Sequence, residues 1–203
     1  MAVSNFGELR SLVKDWGNRT DISDATINSF INLAQDRANR VLRIPVLEKV
    51  SASLPIVDGA VVIPSDYLEA KALTVDVSGT IIDLQRKDLP YVLSKGKQAG
   101  NPRYFAREAN KFILGPKGNL TTAKLAYYYV APDLVNDTDT NWFVEYGTDL
   151  LLYGALAEQA LYTKNTEEAA QFEAKFRGAA AEIENMAQQA EASGSTLGIV
   201  PSR

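Results

Sequence analysis

Apolar residues recur with a helical period at both ends of this 203-residue chain and with a strand-like period in between, so it must pack helices and a sheet together. Near the start, Asn5 followed by Glu8 resembles a capping box, and Phe6, Leu9, Leu12, Val13 and Trp16 then form one helical stripe that Gly17-Asn18 stops. Ser23 caps a second helix with the stripe Ile27, Phe30, Ile31, Ala34, Ala38, Val41 and Leu42, which Pro45 ends. Towards the other end, Thr148 to about Thr163 is apolar nearly all round, the pattern of a buried helix. Thr166 then opens a last helix. Its apolar positions Phe172, Phe176, Ala179, Ile183, Met186 and Ala190 step by four and three, a heptad-like seam. The alanines in that seam favour packing within the chain over a self-associating coiled coil. We take Phe172, Phe176, Ile183 and Met186 as its bundle-facing residues.

From Glu48 to Leu134 the texture is β. Asp58-Gly59 before Ala60 to Ile63 signals a hairpin, as does Ser78-Gly79 between Leu73–Val77 and Thr80–Leu84. A third hairpin turns at Ala109-Asn110, a short helix fits between Asp88 and Lys97, and Ala123 to Val130 is a strong strand carrying Tyr127, Tyr128 and Tyr129. The expectation is therefore an α+β chain: a four-helix bundle formed by the N- and C-terminal helix pairs, with an inserted, mostly antiparallel β subdomain. The bundle would take residues 1–47 and 142–191, the β subdomain 48–141, and a flexible C-terminal tail 192–203.

Composition removes whole classes of chemistry. With no cysteine there are no disulfides, thiolate nucleophiles or thiolate-ligated metals. With no histidine the usual general base near neutral pH is missing. The net charge of −4, with Arg86-Lys87 the only adjacent basic pair, disfavours tight DNA binding. No apolar run approaches the roughly 20 residues of a membrane span, and no signal peptide is visible, so a soluble protein made in the cytoplasm is expected.

No catalytic constellation stands out. Asp137, Asp139 and Asn141 alternate like the start of a calcium loop, but Trp142 and Thr148 replace the glycine and glutamate such a loop needs, which favours an Asx turn. Glu145, Asp149 and Glu158 could stand as paired carboxylates for glycoside cleavage, although helix N-terminal complementarity is the simpler role for the first two. Gly115 to Asn119 lacks the phosphate-loop pattern and reads as a turn. The three tyrosines suit sheet packing better than base stacking, which would need a basic groove. No catalytic residue, metal site or cofactor is assigned.

Several stretches, in order, resemble the adaptor proteins at the head-to-tail junction of tailed bacteriophages. They are Asn5-Phe6-Gly7-Glu8-Leu9, Ile27 to Gln35 running into Arg43-Ile44-Pro45, Ile63-Pro64-Ser65-Asp66-Tyr67-Leu68, Asn101-Pro102-Arg103-Tyr104, Ile113 to Pro116, Tyr127 to Leu134, and the Leu150–Tyr162 and Glu167–Arg177 helices. The resemblance, podovirus-type connectors in particular, implies a virion structural protein and no enzyme. It implies a ring of about twelve subunits under the portal that joins capsid to tail and lines the DNA passage. Its partners would be the portal protein, a downstream tail or nozzle protein, other copies of itself and transiently passing viral DNA, with no membrane. It would lie at the head–tail junction of the virion after synthesis in the host cytoplasm. In the family the C-terminal segment often reaches the portal. Leu197, Ile199 and Val200, behind Ser193-Gly194-Ser195, are the matching candidates here, with an ordinary frayed terminus as the competing reading. A tail-completion or tail-tube protein, or less readily a tail-associated carboxylate-dependent hydrolase, stays open as an alternative.

Overall fold

A computed structural model describes residues 3–192. The described residues divide into two compact units, 3–45 with 131–192 and 46–130.

The first unit is helical. Helix α1 (Phe6–Gly17) starts at Asn5, whose Oδ1 accepts from the Glu8 amide at 2.9 Å. Ser4, rather than Asn5, completes the reciprocal half of the box by donating its amide and hydroxyl to Glu8 Oε2. Helix α2 (Asp24–Val41) starts at Ser23 and buries Ile27, Phe30, Ile31, Ala34 and Ala38 on one face. Three helices follow on the return of the chain: α4 (Trp142–Tyr146), α5 (Thr148–Tyr162) and α6 (Thr166–Ala192). Helix α3 belongs to the other unit.

Helix α5 is the axis of this unit. Leu150, Leu151, Leu152, Ala155, Leu156, Ala157 and Ala160 are all buried, and α1, α2, α4 and α6 each pack against it. Its close approach to two neighbours depends on Gly154, where a Cβ would lie 2.7 Å from Ala34 Cβ and 3.1 Å from Phe176 Cδ2. Three buried amides fasten the returning chain to α2. Asn141 Nδ2 donates to Gln35 Oε1 and to the Pro132 carbonyl, both at 2.8 Å, and the Ala131 amide donates to Asn39 Oδ1 at 3.1 Å.

The second unit is a sheet with one short helix. Its strands are β1 (Glu48–Val50), β2 (Leu54–Val57), β3 (Ala60–Val62), β4 (Tyr67–Val77), β5 (Thr80–Asp83), β6 (Gln85–Arg86), β7 (Tyr104–Glu108), β8 (Lys111–Gly115) and β9 (Thr122–Tyr129), with α3 (Leu89–Lys95) between β6 and β7. The sheet path is β5-β4-β9-β2-β3-β8-β7-β6, and β1 pairs with β9 beside it. The two ends of that path are consecutive in sequence. β5 runs antiparallel to β4, and one residue later, past Leu84, β6 runs parallel to β7. The Leu84 amide still donates to Leu73 while the Gln85 amide donates to Arg103, so the strand changes partner at that point. The sheet therefore curls into a nearly closed barrel. Alternate residues fill it: Val61, Leu73, Val75, Leu84, Phe105, Phe112, Leu114, Leu125 and Tyr127.

These features overturn the expected four-helix bundle with an inserted β subdomain; the class is α+β, with the barrel-like sheet dominating. Two physical facts lie behind the correction. A four-helix bundle shares one core among equal stripes, but α5 is apolar around its whole circumference and is covered on its several sides, by α4 as well as by the three long helices. In addition, hairpin signals give local pairing only, and the partner change at Leu84 that rolls the sheet is a non-local event.

Candidate interaction surfaces

Several of the residues singled out for chemistry are already engaged. Glu145 and Asp149 are exposed, and Glu158 is half-buried and paired with Arg37 at 3.2 Å. Asp149 and Glu158 are nine residues apart on α5, about 13 Å of helix rise, beyond the carboxylate separations of glycosidases. Asp137 pairs with Arg10 at 2.9 Å. Asp139 accepts from the Val135 and Asn136 amides, and Asn141 caps α4. Among the described residues no acidic cluster is arranged to hold a metal ion.

Tyr127 points into the barrel and donates to Asp66 Oδ1 at 2.8 Å, while Lys49 Nζ donates to Asp66 Oδ2 at 2.9 Å. Partial burial pushes the Asp66 carboxyl up, but the Lys49 and Tyr127 hydrogen bonds and the Lys49 charge outweigh it and hold the carboxyl below its ordinary range. Burial first, then the bond to Asp66, raises the Tyr127 phenol. Tyr128 and Tyr129 are half-buried, with Lys71 and Lys49 over their rings. This cluster ties β1, β9 and the Pro64–Asp66 turn together. The sequence marked the tyrosines but not their partners, because Lys49 and Asp66 are brought together only by the sheet register.

Along α6 the seam residues differ in their surroundings. Phe176 is buried, Phe172 and Ile183 are half-buried, and Met186 is 69% exposed. Arg37 lies 4.3 Å over the Phe176 ring and donates to Glu158 of α5 and Glu173 of α6. Burial raises the Glu173 carboxyl, and bonds from Arg37 and Arg177 more than offset this, leaving it lowered. Leu197, Ile199 and Val200 lie outside the described residues.

The barrel's outer wall carries a further surface. Inward Val61, Phe112 and Leu114 alternate with outward Val62 and Ile113, and Pro55 and Val57 face outward from β2. Val57 stands opposite Ala60, and Ala60 opposite Ile113, so these side chains form one continuous face, which Leu93 of α3 extends. Lys111 and Lys117 edge it. The Lys117 stem lies across Gly59, where a Cβ would come within 2.6 Å of Lys117 Cγ and where φ is +73°. Val57, Val62 and Leu93 are 64%, 63% and 50% exposed. Sequence reasoning passed over this face. The signal was present as valine and isoleucine at strand positions that a half-solvated sheet normally fills with polar residues.

Among the described residues, the helical unit is built around the buried α5, and the barrel-like sheet carries an exposed apolar outer face. The chain belongs to the SU10 adaptor protein family, whose model matches residues 4–199. It is thus a member of a family of phage adaptors, a structural component of the virion. No curated protein matches the chain. Among the described residues no helix is long and apolar enough to cross a membrane.

Proposed function

We propose that the protein is a head–tail adaptor: about twelve copies form a ring beneath the portal, connector-fashion, joining capsid to tail and surrounding the path of the DNA. The observation that carries this reading is the family match, which spans residues 4–199 and so leaves little of the chain to another role. The charge balance supports it. A net charge of −4 without a basic run suits a wall that DNA must slide past, since each phosphate contact would retard passage. On this reading the partners are the portal, further copies of the chain and a downstream tail or nozzle protein. Leu197, Ile199 and Val200 remain the portal-contact candidates on sequence grounds. Negative-stain imaging of the portal from the same phage, with and without this protein, tests the proposal. The expected result is an added ring at one end of the portal. Portal particles unchanged by a saturating excess of the protein would reject it.

A further inference from the structure

Two exposed surfaces among the described residues complement each other. One is the outer barrel face of Pro55, Val57, Val62, Leu93 and Ile113, apolar and edged by Lys111 and Lys117. The exposed pair that Lys111 makes with Glu108 costs little to loosen. The other is the distal half of α6. From Gly178 to Ala192 it carries Glu182, Glu184 and Glu191 and no lysine or arginine, and it presents Met186, with half-buried Ile183 one turn earlier. An apolar strip flanked by acids thus matches an apolar face flanked by lysines.

We infer that the distal half of α6 from one copy docks on the β2–β3–β8 outer face of the next, with Ile183 and Met186 seated among Val57, Val62 and Leu93. Glu182 and Glu184 would then lie towards Lys111 and Lys117. The two patches are different surfaces of the same chain, so the contact is heterologous, the kind that closes into a ring when the rotation per copy allows it. Met is suited to such a face because its unbranched side chain adapts to an irregular apolar floor. This inference rests on the ring reading above and assigns the surfaces that build the ring.

The chain has no native cysteine, so introduced thiols report without background. The single variants Val62→Cys and Met186→Cys are mixed and mildly oxidised, both free and bound to portal. Disulfide-linked chains of twice the 22.2 kDa mass are counted on a non-reducing gel. An Ile81→Cys plus Met186→Cys mixture is the control, because Ile81 on β5 is at least as exposed as Val62 but off the proposed face. Separate variants can link only between copies. The expected result is about tenfold more linked product than the control, because docking raises the local concentration of the two thiols. Linkage equal to the control overturns the docking. Co-sedimentation of the unaltered protein with portal, run alongside, shows whether the adaptor reading survives that failure or falls with it.

Discussion

The guanidinium of Arg37 lies 4.3 Å above the ring of Phe176 while the same group bonds Glu158 and Glu173, so one α2 residue joins α2, α5 and α6 by charge and by packing together. Phe176 also fills the space that Gly154 leaves. Phe176→Ala should cost about 3–5 kcal/mol, as expected for removal of a buried ring. Phe172→Ala, at a half-buried position, should cost less than half of that. A double-mutant cycle with Arg37→Ala should show a coupling of about 0.5–2 kcal/mol, read by denaturant unfolding.

Gly154→Leu should destabilise the helical unit by about 1–3 kcal/mol or more, because both obstructing atoms are packed against α5 rather than free to swing away. Gly178→Ala is the contrasting change. Nothing lies within 4 Å of its Cβ position, and helix propensity should make it stabilising by up to about 1 kcal/mol. Thermal unfolding of the two variants should therefore shift in opposite directions.

Asn141→Ala should cost roughly 2–4 kcal/mol, since it removes the cap of α4 and leaves Gln35 and the Pro132 carbonyl short of a buried donor. Asn141→Asp keeps the cap but not the donor and should recover only part of the loss. Urea unfolding of the pair separates the two contributions.

Acid should loosen the barrel through Asp66. Its folded-state carboxyl is held below the ordinary value of 3.8, so the stability it contributes is complete above that value and is lost as pH falls through the lower folded-state value. Asp66→Asn should remove that part of the acid dependence while lowering stability at neutral pH. The raised Tyr127 phenol has the opposite effect: its neutral form is favoured by the fold, and stability declines above about pH 10, where the unfolded phenol ionises. Tyr127→Phe should flatten that alkaline decline. Unfolding free energies measured from pH 3 to 11 check both signs.

Local features of the fold were legible in the sequence, and long-range ones were not. Asn5 and Ser23 mark helix starts because capping is decided by a few neighbouring residues, whereas α2 ends at Val41, short of Pro45, which opens a 3-10 turn. Ser78-Gly79 and Ala109-Asn110 mark hairpins for the same reason. The partner change at Leu84 left no local trace, since strand 80–86 reads the same whether it pairs with one neighbour or two. The role of α5 as a shared axis was visible only as its all-round apolarity, which does not say which helices cover it. The outer face of Val57, Val62 and Ile113 went unread because a continuous apolar run fits a doubly buried strand as well as an exposed docking wall.

The adaptor claim is tested most directly by the mass of portal-bound protein. Portal is saturated with the chain, separated from free material, and the added mass measured by native mass spectrometry. A ring of twelve adds about 266 kDa, twelve copies of the 22.2 kDa chain, with no smaller stable adduct. A 22.2 kDa species that stays free at every ratio, leaving the portal at its own mass, would contradict it.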